Sequence, residues 1–175
     1  MGGEVWLGDK DGRQLDLSTR EVVPTEAFRE RLIINGQMFR VVDTAVVAPL
    51  GVKEYLITTP ALATHGCWLY AFSLLADDDG VFLFTEDPTT TAAGAALVPQ
   101  NINRNSATTA DMVVTEDPTV TGDGTIFYTA PYGWWSLFQS GQQFVILKAS
   151  STYMLRWTDD GAGTNIILQL DWAEV

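Results

Sequence analysis

From residue 39 onward, apolar and polar residues alternate in short runs, and Gly, Pro, Asp or Asn breaks each run after about 8 to 12 residues. The runs are rich in Val, Ile, Thr, Phe, Tyr and Trp, the residue types that suit a pleated, half-buried surface. This pattern predicts strands at residues 39–48, 54–59, 67–75, 81–85, 108–116, 125–129, 143–147, 153–158 and 166–172. In the last two the period of two is plain. Tyr153, Leu155 and Trp157 share one face, while Ile166, Leu168, Leu170 and Trp172 alternate with Gln169 and Asp171. Between them, Asp159-Asp160-Gly161-Ala162-Gly163-Thr164-Asn165 has turn composition, so the two strands are expected to form a terminal hairpin. Many short strands in one domain predict an all-β fold, a jelly-roll-like β-sandwich.

Residues 1–35 have a different character, with Lys10, Arg13, Arg20, Arg29 and Arg31 interleaved with acids. Residues 24–33 predict a short helix at 25–33, with Thr25 as its cap and Phe28, Leu32 and Ile33 along one side. The chain thus divides into an N-terminal extended arm, 1–35, and a β-sandwich domain, 36–175. The arm reads either as a solvated tail or as an extension lying on a neighbouring subunit. In the second case Trp6 and Phe28 are its candidate contacts.

A repeat is more specific than any strand count. Phe84-Thr85-Glu86-Asp87-Pro88-Thr89 recurs as Val114-Thr115-Glu116-Asp117-Pro118-Thr119, offset by 30 residues, and each copy runs on to a glycine, Gly94 and Gly124. Each copy predicts a strand end, a proline-fixed corner with Thr-rich extended backbone, and a glycine able to take positive φ before the next strand. Two equivalent corners suit a sandwich of two similar halves. The acids of the corners could alternatively hold a cation, and Asp77-Asp78-Asp79-Gly80 has the opening of a calcium loop. Val81 then falls at the fifth position and Pro88 at the twelfth, where such loops carry oxygen ligands, so solvated turns are the stronger reading.

Composition removes several classes of function. With 46% hydrophobic, 11% aromatic and 18% charged residues over 175 positions, the chain is expected to fold around a real core. A single cysteine, Cys67, leaves no disulfide and no thiolate cluster for zinc or iron–sulfur. The net charge of −12 opposes a phosphate backbone, so nucleic acid is not an expected partner. No apolar stretch approaches the ~20 residues that span a bilayer, and the N-terminus lacks a basic-then-apolar leader pattern, so no membrane partner or export is expected.

Catalytic chemistry is equally thin. His65 is the only histidine, so a nucleophile–His arrangement must use it. Cys67 lies two residues away but opens an apolar strand, where a thiol is buried and inert. Neither G-x-x-x-x-G-K-[ST] nor G-x-G-x-x-G is present, and no cofactor is expected. Paired carboxylates of the glycosidase kind stay open, because 22 acids offer many pairs. The segment Tyr132-Gly133-Trp134-Trp135-Ser136-Leu137-Phe138 has adjacent tryptophans that cannot both face one core from a regular strand. Trp134 and Trp135 either pack at a sandwich edge, contact a subunit or capsid, or stack on a sugar.

Asn101-Ile102-Asn103-Arg104-Asn105-Ser106, the Asp117-Pro118-Thr119-Val120-Thr121-Gly122-Asp123-Gly124-Thr125 turn, Ile146-Leu147-Lys148, Tyr153-Met154-Leu155-Arg156 and Gln169-Leu170-Asp171-Trp172 occur in that order. Together they resemble a group of tailed-bacteriophage virion proteins, the capsid decoration or cement proteins, over about residues 40–175. The chain departs from that group in having Trp157 where Val or Phe is common, and in its long arm. The resemblance implies a β-sandwich, often a homotrimer, that sits on the outer capsid surface, is made in the host cytoplasm, binds the major capsid protein and is no enzyme. Arg104, between Asn103 and Asn105, is expected to bond carbonyls of an incoming loop, and Asp117 and Asp123 to order the turn. The alternative reading is a virion appendage or lectin-like module that binds host glycans.

Overall fold

The computed structural model describes residues 13–16, 21–61, 66–131, 135–136 and 145–175. β1 (Arg13–Asp16) and β2 (Glu21–Pro24) pair antiparallel and lead into α1 (Thr25–Ile34), as the 25–33 pattern predicts. Next come β3 (Met38–Val47), β4 (Val52–Thr58), β5 (Cys67–Ala76) and β6 (Gly80–Glu86). The first repeat supplies β7 (Thr89–Ala92) and β8 (Ala95–Ala96), and β9 (Gln100–Asn101) follows. The second repeat supplies β10 (Val113–Glu116), β11 (Thr119–Gly122) and β12 (Thr125–Pro131). β13 (Trp135–Ser136), β14 (Val145–Leu147), β15 (Thr152–Asp159) and β16 (Thr164–Glu174) complete the chain.

Two antiparallel sheets form the sandwich. The first has the order β12-β6-β15-β4-β10-β8, and the second β13-β5-β16-β3-β9, with β14 also paired to β5. One core fills the space between them. Tyr55, Ile57, Phe82, Phe84, Val114, Leu155 and Trp157 enter from the first sheet, and Phe39, Leu69, Phe72, Leu74, Leu168, Leu170 and Trp172 from the second. Phe72 lies 5.1 Å from Phe82 across this interior, which sets β5 over β6 and brings the β12 and β13 edges to one side of the sandwich.

The expected terminal hairpin is not formed. β15 pairs with β4 and β6 in the first sheet, whereas β16 pairs with β3 and β5 in the second. The turn-like segment instead carries the chain across the sandwich. Alternation fixes which side chains face the core; two strands that face it from opposite sheets have the same pattern as two that are neighbours in one. The predicted strand at 108–116 is also shortened to Val113–Glu116. Ahead of it the Ser106 hydroxyl accepts from the Thr108 N–H, and the Glu174 carboxylate accepts from Asp111 and Met112, so side chains satisfy this backbone in place of a ladder.

α1 covers one end of the outer face of the second sheet. Leu32, Met38 and Ala173 form a small second core with Phe28, Ile33, Trp68, Tyr70, Ile102 and Val175 around it. The helix ends where Gly36 takes φ 70° and its N–H bonds Ile33 O, while Gln37 N–H bonds Leu32 O, which satisfies the last carbonyls. The end of the arm is therefore part of the folded body.

The repeat forms a pair of crossing straps. β6 is second in its sheet and β8 lies on the far edge, so β7 must pass across β15 and β4 and the chain beyond it over the end of β10; β11 makes the reverse passage from β10 to β12 and pairs antiparallel with β7. The inner face holds the core, which leaves the outer face for both. Beneath the straps, Thr85, Met154, Leu56 and Thr115 stand in one register row and all four are buried, although their neighbours Tyr55, Ile57, Tyr153 and Leu155 face the core. The Thr115 hydroxyl donates to Ala93 O at the end of β7. A local two-fold axis runs through the Leu56–Met154 pair. It exchanges Glu86↔Thr125 with Glu116↔Ala95, and Tyr55↔Leu155 with Ile57↔Tyr153.

Candidate interaction surfaces and their charged corners

The two proline corners begin at Asp87 (φ 54°) and Asp117 (φ 52°), both left-handed without being glycine. Each is anchored by its own N–H, Asp87 to Thr152 O at 2.8 Å and Asp117 to Glu54 O at 2.9 Å. Gly94 lies against the Glu116 and Asp117 backbone, and Gly124 against that of Glu86 and Asp87, so each strap is closed by the other copy. No side chain fits either place, which is why the repeat ends in glycine.

Charge fastens the corners further. Lys53 Nζ donates to Glu116 at 2.6 Å and Asp117 at 2.9 Å and lies 5.3 Å from the Tyr55 ring centre. Burial works against its charged form, but the two carboxylates outweigh this and raise its pKa. Arg156 bridges Glu54 and Asp123, each at 2.6 Å. Lys148 pairs with Glu86 at 2.8 Å, and the Tyr153 hydroxyl donates to the same carboxylate at 3.0 Å. Asp117 and Asp123 thus act as ion-pair partners at the turn. Arg40 grips buried Asp171 through two contacts of 2.6 Å.

Asn103, Arg104 and Asn105 lie in the loop after β9, against the C-terminal end of α1. Arg104 is exposed and reaches Gln100 Oε1 at 3.5 Å, not the carbonyls of an incoming loop. Those carbonyls are bonded by amides: Asn103 Nδ2 donates to Ile34 O at 3.0 Å, and Asn101 Nδ2 to Gly36 O at 2.8 Å. Asn101 Oδ1 accepts from the Asn103 N–H, and Asn103 Oδ1 from the Asn105 N–H, two successive side-chain turns. The spacing of two between Asn101, Asn103 and Asn105 was the signal that could have singled out Asn101.

For the remaining candidate residues, Trp6, Trp134 and His65 lie outside the described residues. Trp135 is placed by backbone pairing of β13 with Leu74 of β5. Phe28 is half-buried, its ring 5.7 Å from that of Trp68, and so serves the small core beneath α1. Cys67 is buried, and burial pushes its thiol up to about 12, assisted by the charges of Glu174 and Asp111. Among the described residues no three His, Cys, Asp or Glu side chains converge as a metal site, and no helix is long and apolar enough to cross a membrane. In the triplet at 77–79, Asp77 accepts from the Asn165 amide and N–H and the Thr164 hydroxyl, which lower its pKa.

Two edges with exposed apolar side chains stand out. On β12, Ile126 is 60% and Phe127 55% exposed, and β12 and β13 are the edge strands on that side of the two sheets. On β3, Val42 is 56% and Val46 82% exposed. Comparison with protein-family models, curated proteins and solved structures finds no match for the chain.

Proposed function

We propose that the chain is a structural virion protein that binds the outer surface of a bacteriophage capsid and stabilises it, performing no chemistry of its own. The observation that carries this reading is the β12 side: an edge strand without a charged residue, with Ile126 and Phe127 exposed, leading directly into the Tyr132–Phe138 aromatics. Exposed aromatic and aliphatic side chains beside one another are what a desolvated protein contact uses. The charge distribution supports an external position. Lys53, Lys148, Arg40 and Arg156 are held by carboxylates, so the surplus of acids faces outward and disfavours contact with packaged nucleic acid. Added buried interface raises the stability of a shell by mass action alone.

Replacing Ile126, Trp134 and Trp135 together by Ala should reduce occupancy on capsids of its own phage while the isolated chain still unfolds cooperatively. Undiminished occupancy would remove the β12 side from the contact. Retention on a glycan array without capsid binding would favour the glycan-binding module.

A further inference from the structure

The second sheet ends on an edge that β9 only begins to cover. β3 pairs with β16 from Met38 to Val47, but on its other side β9 reaches only Phe39 and Arg40. Among the described residues, 41–47 therefore present one row of backbone N–H and C=O groups with no strand beside it. Natural edges of this length are commonly guarded by Lys, Pro or a bulge. β12 has such guards, a register shift between Ile126 and Tyr128 and a final proline, whereas 41–47 has no Lys, Pro or bulge, and its one charge, Asp43, points inward.

The sequence of this edge reads nearly the same in both directions: Val41-Val42-Asp43-Thr44-Ala45-Val46-Val47. We infer that it pairs antiparallel with the same edge of a second copy of the chain, about a two-fold axis at Thr44. In that register Val41 meets Val47, Val42 meets Val46, Thr44 meets itself and Asp43 meets Ala45. Like pairs on one face stabilise a ladder, and the two Asp43 carboxylates are never directly opposite. Asp43 is also held from the inner side by the Tyr55 hydroxyl, at 2.8 Å. Residue-centred pairing keeps Val42, Thr44 and Val46 of both copies on the outer face, continuous with exposed Ile167. On a chain of net charge −12, most faces repel a second copy, and this charge-poor edge is where two copies meet at least cost. The association is two-fold, unlike the trimer that the family resemblance implies, and does not depend on the capsid reading.

Sedimentation equilibrium of the full chain tests it. The expected mass is twice 19.2 kDa, and Thr44→Lys, which sets two ammonium groups face to face on an exposed position, should return it to one chain with the circular dichroism unchanged. As a second readout, Thr44→Cys should cross-link on mild oxidation, because axis residues in an antiparallel pair lie about 4.5–5.5 Å apart between Cα atoms. Thr121→Cys, exposed on a strap, should not. A monomeric or trimeric wild type overturns the inference. So does a dimer that Thr44→Lys leaves intact, or one in which Thr44→Cys cross-links no faster than Thr121→Cys.

Discussion

Gly36 shows how one residue can hold two elements at once. Its φ of 70° closes α1, its carbonyl accepts from Asn101, and any Cβ would strike the Ser106 side chain. Gly36→Ala should cost about 1–2 kcal/mol from the backbone conformation alone, read as a lower denaturant midpoint, with the clash adding to it. The ionisable residues predict a pH profile. Asp77, bonded by Asn165 and Thr164, and Glu86, beside the Lys148 ammonium, both have depressed pKa values in the folded chain. Their stabilisation is therefore fully present above the ordinary carboxylate range and lost as pH falls from there through their depressed folded values, so the melting temperature should drop below about pH 4. Asp77→Asn should flatten that acid limb. Lys53 has the opposite sign: its raised pKa adds stability that persists below the ordinary lysine value and is lost only at strongly alkaline pH. Neither role was legible in sequence, because Lys53 meets Glu116 and Asp117 only after β10 pairs with β4.

The straps make a prediction at the level of elements. Because each copy of the repeat closes over the other's corner, Gly94→Ala and Gly124→Ala should destabilise by similar amounts, measured by chemical denaturation. A large loss for one and none for the other would deny the local two-fold symmetry. β16 carries a different load: it is the central strand of the second sheet and buries Leu168, Leu170 and Trp172. Deleting residues 167–175 should abolish soluble expression, and Trp172→Ala should cost about 3–5 kcal/mol. A soluble truncation that melts cooperatively would contradict the central place of β16. At this scale the sequence was informative wherever alternation was strong, as in β15 and β16, and the repeat pointed to two equivalent corners. Strand partners were not readable. The period of two says which face of β15 is buried, but whether β16 lies beside it or opposite it depends on how residues 160–163 cross the sandwich.

As a whole molecule, the chain is an acidic, strap-braced sandwich with an exposed apolar edge on each side: uncharged β12 leading to the aromatic stretch, and β3 with its near-palindrome around Asp43 and Thr44. Composition and alternation were enough to predict the all-β sandwich and the short helix at the end of the arm. The surfaces were not, since exposure of Ile126, Phe127, Val42 and Val46 follows from which strands end as edges. The most direct measurement of the capsid reading is co-sedimentation of the purified chain with capsids of its own phage stripped of this component, with copies per particle counted. The account predicts saturable binding at a copy number matching local symmetry axes of the lattice, and a rise in the temperature at which the shell opens. Absence of binding to such capsids would contradict it.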